Sequence, residues 1–184
     1  MTLLSIPRVV ALYICVAVGA NAGTPELPDA LQGVVVHENP KQALAALFEA
    51  PDGHSMALSD IDAPLTVVNF WATWCAPCVH EMPSLSKLRE MSLDDFEVVT
   101  IATGRNSEAS LKRFYETTGI TNLPTYRDPK QALAREAAVL GLPLTLIIDS
   151  DGREVARYQG DTNWADADVI TWLRAFSAQT VGTQ

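Results

Sequence analysis

Cysteine is scarce in this chain of 184 residues, which contains three. Cys15 lies in an N-terminal apolar segment, whereas Cys75 and Cys78 are separated by two residues in the interior. If the N-terminal segment is removed, no other pair remains to form a structural disulfide. The chain also has no second cysteine pair to complete a zinc site, and adding His80 to Cys75 and Cys78 leaves the ligand set one short. These shortages argue against a disulfide-rich scaffold and a structural zinc site.

Basic residues are also few, with 13 Lys and Arg against 22 Asp and Glu and a formal net charge of −9. This charge argues against nucleic acid or an anionic membrane surface as a partner. The chain shows no internal repeat, no low-complexity tract and no shift in composition that would mark a second domain. Its length and its 48% hydrophobic content suit one domain with one good core.

Long apolar runs are missing as well. The N-terminal run from Val9 to Ala20 has about twelve residues, whereas a helix needs roughly twenty to span a bilayer. Arg8 precedes the run, and Ala20-Asn21-Ala22 follows it as a small-x-small cleavage pattern. We therefore predict that residues 1–22 are a signal peptide cleaved after Ala22, with an uncleaved membrane anchor as the alternative. Lipidation at Cys15 is disfavoured, because large residues precede it. The predicted location is the periplasm or cell envelope.

The most informative segment runs from Asn69 to Pro83 and reads NFWATWCAPCVHEMP. It places two cysteines behind a strand-like apolar run and ahead of a helix-like stretch, which is the layout of a dithiol that cycles through a disulfide. A helix N-terminus stabilises a thiolate through its free N–H groups and its dipole. We therefore expect Cys75 to be the attacking thiolate and Cys78, one turn further on, to resolve the mixed disulfide. A copper-handling role remains open, because two thiolates also bind copper(I).

The pattern along the chain predicts strands that alternate with helices. Residues 23–44 are predicted to be a linker or N-terminal extension, a short helix is predicted from Asn39-Pro40 to Phe48, and Asp52-Gly53 is predicted to turn between two short strands. The other predicted strands are Leu65–Phe70, Phe96–Thr103, Leu123–Tyr126, Leu144–Asp149 and Glu154–Tyr158; the other predicted helices are Pro77–Glu90, Ser107–Glu116, Asp128–Gly141 and Trp164–Phe176. This order suits a mixed sheet between helices.

The sequence Trp74-Cys75-Ala76-Pro77-Cys78 resembles the Trp-Cys-x-Pro-Cys core of thioredoxins, and Phe70-Trp71-Ala72 extends the match. Thr73 before the tryptophan, with Glu81-Met82-Pro83 after the dithiol, is similar to the TlpA/ResA/DsbE branch of exported thiol-disulfide oxidoreductases. The resemblance implies an α/β protein with the thioredoxin-like fold over residues 45–180. It further implies a central mixed β-sheet flanked by helices, with an N-terminal extension and an inserted strand-helix unit.

The same resemblance implies the remaining site residues. Pro143 occupies the position of a cis-proline opposite the dithiol, and the backbone of Leu142 would be free to pair with an extended substrate. Trp74, Ala76 and Pro77 would border the substrate. Glu81 matches a glutamate that helps set thiol acidity in this branch, although an exposed helix acid is the alternative. No cofactor or metal is expected besides the redox-active disulfide Cys75–Cys78.

The resemblance implies a thiol-disulfide oxidoreductase that reduces specific exported clients, of the cytochrome c maturation or copper-site assembly type. A thiol-reducing membrane protein would have to supply its electrons. An oxidant or isomerase of the same fold and a copper metallochaperone are the alternatives. A peroxidase is disfavoured, because a peroxidatic cysteine would not normally have a partner two residues on behind Trp74.

Overall fold

The apolar run that precedes the dithiol forms the centre of the sheet. This strand, β4 (Leu65–Trp71), has all seven residues buried. It pairs in parallel with β5 (Glu97–Thr103) and antiparallel with β7 (Leu144–Asp149). Burial on both faces explains why the strand is nearly all apolar rather than alternating. The prediction of a central strand here is confirmed.

The computed structural model describes residues 25–92 and 94–181. The predicted signal peptide, with its cleavage site after Ala22 and Cys15, lies outside these residues. The other strands are β1 (Val35–Val36), β2 (Phe48–Glu49), β3 (Ser55–Met56), β6 (Tyr126–Asp128) and β8 (Glu154–Gln159), and the helices are α1 (Ala76–Ser92), α2 (Glu108–Thr118), α3 (Ala132–Glu136) and α4 (Ala167–Val181). Short 3-10 turns occupy Asp29–Leu31 and Leu58–Asp60. None of the helices in this described part is long and apolar enough to cross a membrane.

The eight strands form one sheet in the order β1-β8-β7-β4-β5-β6-β2-β3. The pairs β4–β5 and β5–β6 are parallel, and the others are antiparallel, so the sheet is mixed. Between β5 and β7 the chain forms α2, β6 and α3, which include the predicted strand-helix insertion. The predicted thioredoxin-like architecture, a mixed sheet flanked by helices, is confirmed.

Side chains that alternate along the strands divide the interior into two cores. On β4, Val67 and Trp71 pack in the core formed with α1, α2 and α4, whereas Val68 and Phe70 pack in the core formed with α3. The buried face of α1 carries Leu85, packed in the first core. Burying each such side chain contributes roughly 1.5–3 kcal/mol. Both faces of β4 are therefore fixed just before the chain reaches the dithiol.

Capping signals in the sequence located α2 correctly. The Ser107 hydroxyl accepts a hydrogen bond from the Ser110 amide at 3.1 Å, which satisfies one free donor of the first turn. Gly119 ends the helix with φ of 69°, in the left-handed region that glycine adopts readily. The predicted helix is confirmed, and it extends two residues beyond Glu116.

The helix predicted from Asn39-Pro40 to Phe48 is wrong. Residues 37–46, which we call the strap, run without helical structure along the sheet edge. The strap's amides are engaged elsewhere: that of Lys41 donates to the Glu154 carbonyl at 2.9 Å, and that of Leu44 donates to the Gly152 carbonyl at 3.3 Å. These long-range bonds replace the local helical ones. The predicted extension thus belongs to the folded domain, and it also supplies the edge strand β1.

A buried carboxylate anchors the strap. One oxygen of Glu154 accepts from Lys41 at 2.8 Å and lies 2.6 Å from His37 Nε2, and Arg157 contacts both oxygens. Burial alone would raise the pKa of Glu154, but the bonds from Arg157, Lys41 and His37 outweigh it and hold that pKa at about 2. His37 Nε2 is thus one of the groups that surround this buried carboxylate.

The helix predicted from Asp128 to Gly141 is shorter, because α3 spans only Ala132–Glu136. Asp128 is not its N-cap, because that position is Gln131, but the Asp128 carboxylate accepts hydrogen bonds from the first-turn amides of Ala132 (2.8 Å) and Ala134 (2.9 Å). Ala138 has φ of 54°, which ends the helix early.

Two other predicted boundaries were also displaced. The strand predicted at Leu123–Tyr126 lies slightly later, at Tyr126–Asp128. The last helix begins at Ala167 rather than at Trp164, which lies in the buried turn before it.

Candidate active site

The dithiol lies where β4 ends and α1 begins. β4 ends at Trp71 and α1 starts at Ala76, so Cys75 stands directly before the first helical residue. The Cys75 amide donates to the Ala72 carbonyl at 3.1 Å, and the Cys75 carbonyl accepts from the Val79 amide at 3.0 Å. The first turn of the helix therefore presents its free N–H groups at the Cys75 side. This is the local arrangement that stabilises negative charge on a sulfur.

Cys75 and Cys78 form a disulfide with their Cα atoms 5.3 Å apart. Cys75 is 7% exposed, whereas Cys78 is completely buried. The Cys78 amide also donates to Cys75 Sγ at 3.3 Å. The two sulfurs are therefore unequal: Cys75 is the one that a partner can reach, and it has a hydrogen-bond donor aimed at it.

The loop before the dithiol is held by residues that sequence reasoning did not select. Asn106 Oδ1 accepts from the amide and the hydroxyl of Thr73, at 2.8 and 3.0 Å, and Asn106 Nδ2 donates to the Thr103 carbonyl at 2.9 Å. Trp74 is 65% exposed, and its indole N–H donates to the Arg105 carbonyl at 3.2 Å. The segment that follows β5 thus fixes the dithiol loop. Nothing in the sequence near Asn106 signals this contact.

The predicted substrate-binding residues surround Cys75. Trp74, Ala76 and Pro77 are exposed next to the reachable sulfur. Trp74 and Pro77 line a cavity of about 410 Å³ together with Cys75 and Leu142. The structure therefore brings Leu142, more than sixty positions away in the chain, to the same opening as the dithiol.

The Leu142–Pro143 peptide bond is cis, as the resemblance implied. Pro143 is buried directly before β7. Its carbonyl accepts from the Gly160 amide at 3.1 Å and from Gln159 Nε2 at 2.8 Å. These bonds hold the segment that carries Leu142 against β8.

Glu81 is not an exposed helix acid, because only 1% of it is exposed. It lies one turn beyond Cys78 on the same buried face of α1. Burial raises the pKa of Glu81 to about 7, and the negative charge of Asp161 adds to the rise, although hydrogen bonds from Trp164 and Asn69 oppose it. Glu81 can therefore hold or release a proton near neutral pH, close to the buried cysteine.

Two donors position the Glu81 carboxylate. Asn69 Nδ2 donates to one oxygen at 2.8 Å and also to Thr145 Oγ1 at 3.0 Å, and Trp164 Nε1 donates to the other oxygen at 2.9 Å. Neither role was predicted from the sequence. The asparagine in this mostly apolar strand was nevertheless a signal, because a buried amide requires a polar partner. β4, α1 and the turn before α4 thus meet at this acid, and β7 is linked to them through the bond from Asn69 to Thr145.

The remaining candidates do not join the site. His80 is exposed on α1, and its Nδ1 lies 3.1 Å from Asp161 Oδ2. Over residues 25–92 and 94–181, no group of three or more His, Cys, Asp or Glu side chains is arranged to hold a metal ion.

Comparisons with known proteins agree with this geometry. The sequence profile of the AhpC/TSA family matches residues 41–156. The chain is 33% identical to the thioredoxin-like protein YneN of Bacillus subtilis, over 56% of this chain and 65% of that protein. It is 32% identical to the thiol-disulfide oxidoreductase ResA of Geobacillus kaustophilus, over 61% of this chain and 68% of ResA. It is 30% identical to the thiol:disulfide interchange protein HelX of Rhodobacter capsulatus, over 79% and 76%.

Solved structures share the fold. The pneumococcal exposed lipoprotein thioredoxin Etrx1 of Streptococcus pneumoniae superposes with a TM-score of 0.59 at 28% identity, over 70% of this chain and 96% of that one. A DsbF homologue from Corynebacterium diphtheriae gives a TM-score of 0.62 at 25% identity, over 77% and 92%. The chain therefore belongs to the AhpC/TSA family, and within it to the group of thiol-disulfide oxidoreductases that includes ResA.

Proposed function

We propose that this protein reduces disulfides in specific exported client proteins by dithiol-disulfide exchange. The observation that carries the proposal is the inequality of the two sulfurs: Cys75 is reachable beside an open cavity, whereas Cys78 is completely buried behind it. A client can therefore bond to Cys75, and only the protein's own second thiol can reach that bond from inside.

The exchange has two steps. In the first, the Cys75 thiolate attacks a client disulfide, forms a mixed disulfide and releases one client thiolate. In the second, the Cys78 thiolate attacks Cys75 Sγ, forms the Cys75–Cys78 disulfide and releases the other client thiolate. Two electrons pass to the client, whose two thiolates take up protons. The protein must then be reduced again, and we assign that task to a thiol-reducing membrane protein.

Glu81 has a role in the second step of this scheme. Cys78 must lose its proton in a buried environment, where a free thiolate is unfavourable. The Glu81 carboxyl lies one turn away on the same face, and its pKa of about 7 suits a group that accepts a proton near neutral pH. We therefore propose that Glu81 accepts the Cys78 proton, with Asn69 and Trp164 holding its carboxylate.

We place this protein in the periplasm or cell envelope. The predicted signal peptide supports that location, as does the Etrx1 relative, which is described as an exposed lipoprotein. Clients of the cytochrome c maturation or copper-site assembly type are part of the same proposal.

The first test is the equilibrium reduction potential of the Cys75–Cys78 pair, followed by tryptophan fluorescence in thiol buffers. We expect a value near or below about −220 mV, as in reducing members of the fold. A value near −120 mV would instead identify an oxidant. No redox transition at all would favour the copper-handling alternative, which metal analysis after purification under reducing conditions would then examine.

A trapping experiment tests the order of the steps. The Cys78→Ser variant is expected to accumulate a mixed disulfide at Cys75 with a client, because the resolving thiol is missing. The matched Cys75→Ser variant keeps only the buried sulfur and is expected to trap none. Equal trapping by the two variants would contradict the assignment of Cys75 as the attacking residue.

A further inference from the structure

Basic side chains without an ionic partner are few in the described part of the chain, and most of them lie in one place. The other Lys and Arg side chains in residues 25–92 and 94–181 form ion pairs with Asp or Glu. Four exposed cations form none within those ranges, namely Arg105, Arg113, Lys130 and Arg135. Three of them, Arg105, Lys130 and Arg135, lie on segments that contact one another beside the dithiol loop. We call these three residues the basic patch.

Backbone hydrogen bonds join the two segments that carry the basic patch. Arg105 lies in the segment after β5, and Lys130 lies in the turn between β6 and α3. The Asp128 carbonyl in this turn accepts from the Gly104 amide and from the Gln131 amide, both at 3.0 Å. Arg105 directly follows Gly104, and Lys130 directly precedes Gln131. The two cations therefore belong to one compact junction.

The junction is closely packed, because Gly104 has no side chain. A Cβ atom at Gly104 would lie 3.2 Å from Gln131 Nε2, which is closer than most Cβ contacts. Gly104 also has φ of 72°, a conformation that glycine adopts readily. Arg135 on α3 is tied to the same turn, since its guanidinium donates to the Lys130 carbonyl at 2.7 Å. All three cations are thus held on one support.

The acids on the same segments do not neutralise the basic patch. Asp128 is 1% exposed, and its carboxylate accepts from first-turn amides of α3. Glu108 lies 3.3 Å from Arg127, and Glu136 accepts from two strap amides. In the part of the chain that the structure describes, none of these acids forms an ion pair with a residue of the patch. The patch is therefore a local excess of positive charge in a chain whose net charge is −9.

The basic patch adjoins the dithiol loop on the side of β5. The Trp74 indole N–H donates to the Arg105 carbonyl at 3.2 Å, and Trp74 directly precedes Cys75. Trp74, Gly104, Arg105 and Gln131 line a second cavity, of about 360 Å³. An extended chain advances about 3.3–3.6 Å per residue. A polypeptide joined to Cys75 can therefore reach the patch within a few residues of its own cysteine.

Charge complementarity indicates what this surface binds. Charged groups at the rim of a binding site mainly raise the rate of association with partners of the opposite charge. We propose that the basic patch docks an acidic segment of the client, a few residues from the client's reacting cysteine. The position favours a polypeptide over an anionic membrane, because a membrane resting on the patch would also cover Cys75. This inference rests on the proposed function, which supplies the client.

The test measures how fast the reduced full-length protein attacks peptides of different charge. Each peptide has one cysteine, activated as a disulfide with 2-thiopyridine, and a short run of Asp, Asn or Lys placed before or after it. The Cys75 thiolate attacks the peptide sulfur and forms a mixed disulfide, and the released 2-thiopyridine is measured by its absorbance. The Cys75→Ser variant gives the background from other thiols. Each rate is divided by the rate of 2-mercaptoethanol, a neutral thiol, with the same peptide, which removes differences in peptide reactivity.

Salt separates the basic patch from the charge of the whole chain. At an ionic strength of about 0.1 M the Debye length is about 10 Å, so distant acids are largely screened while the patch contacts the peptide. We expect the normalised rate to fall from the Asp peptide to the Asn peptide to the Lys peptide, with about a tenfold difference between Asp and Lys. At about 1 M, where the Debye length is about 3 Å, the difference is expected to disappear.

Matched charge reversals locate the effect. Arg105→Glu and Lys130→Glu are each expected to remove most of the preference for the Asp peptide, and the double variant is expected to favour the Lys peptide. Arg113→Glu makes the same change of charge at an unpaired cation on α2 that lines neither cavity beside Trp74, and it is expected to keep the wild-type preference. A change in the acidity of Cys75 would alter all three rates together, so a change in their order reports docking.

Two results would overturn the inference. Equal normalised rates for the Asp and Lys peptides at the lower salt concentration would show that the patch docks no acidic segment. If the wild type then sedimented with phosphatidylglycerol vesicles and the double variant did not, the patch would be a membrane contact instead. Equal loss of preference in Arg113→Glu would assign the effect to overall charge.

The reduction potential, measured separately on the wild-type pair, tests the proposed function on its own. A strongly oxidising potential with the charge preference retained would overturn the reductant assignment and leave the docking surface standing.

Discussion

Replacing Glu81 with glutamine is expected to change how stability depends on pH. The Glu81 carboxyl is 1% exposed, and its pKa is about 7 in the folded protein against an ordinary value of 4.5. Between these pH values the folded protein keeps a proton that the unfolded chain has released. Rising pH therefore favours the unfolded chain, and the stabilising effect of the protonated acid, complete below pH 4.5, is lost as pH passes 7.

The size of this effect follows from the two pKa values of Glu81. The gap between about 7 and 4.5 corresponds to about 3 kcal/mol of free energy of unfolding. Because a small domain has about 5–15 kcal/mol in total, a change of this size is easily measured. The other strongly shifted acid, Glu154, has a pKa of about 2 and titrates below this pH range.

The assay is urea unfolding of the oxidised protein, followed by circular dichroism at several pH values between about 4.5 and 8. The wild type is expected to lose about 3 kcal/mol across this range relative to Glu81→Gln, which has no proton to release. The glutamine oxygen can still accept the Trp164 hydrogen bond, so the variant is expected to fold. Glu90→Gln, at an exposed acid on the same helix, is the control and is expected to follow the wild-type slope. Parallel slopes for the wild type and Glu81→Gln would refute the reasoning.

Three further substitutions test other parts of the structure. Trp164→Phe removes a donor from the Glu81 carboxylate, so the pKa of Glu81 is expected to rise further and the midpoint of the same pH–stability curve to move to higher pH. Glu154→Gln is expected to lower the free energy of unfolding by about 3 kcal/mol at pH 7, and thermal melts should show this deficit shrinking as pH falls from 4.5 towards 2, where the wild-type acid is protonated. Leu85→Ala leaves a cavity under α1 and is expected to cost about 2–5 kcal/mol in urea unfolding while leaving the reduction potential unchanged.

Local signals were sufficient where the interactions are local. Ser107 and Gly119 located the ends of α2, because a cap bonds to residues within one turn. The same reasoning gave a wrong prediction for the strap, because the spacing of its apolar residues is typical of a helix. The carbonyls of Glu154 and Gly152, more than a hundred positions away, take the amides of Lys41 and Leu44 instead. A pattern within one segment does not reveal a competing partner that distant.

The features of the active site also divide into those set by neighbouring residues and those set by residues distant in the sequence. The motif around Cys75 predicted the dithiol and its position before a helix, because those features depend on a few consecutive residues. The environment of Glu81 depends on Asn69 and Trp164, which are twelve and 83 positions away from it. The sequence therefore located the acid, but only the folded chain shows why it is buried and what holds it.

The two ends of the sheet have a consequence for the proposed exchange with polypeptide clients. Both outermost strands, β1 and β3, are only two residues long. A longer open edge would offer unpaired backbone groups to any unfolded segment and would favour indiscriminate strand addition. Because both edge strands are so short, a partly folded client finds few free backbone groups to pair with at either edge of the sheet. Such a client can still reach Cys75 at the opening that Cys75 shares with Leu142. The architecture therefore favours reaction at the dithiol over nonspecific strand pairing at the sheet edges.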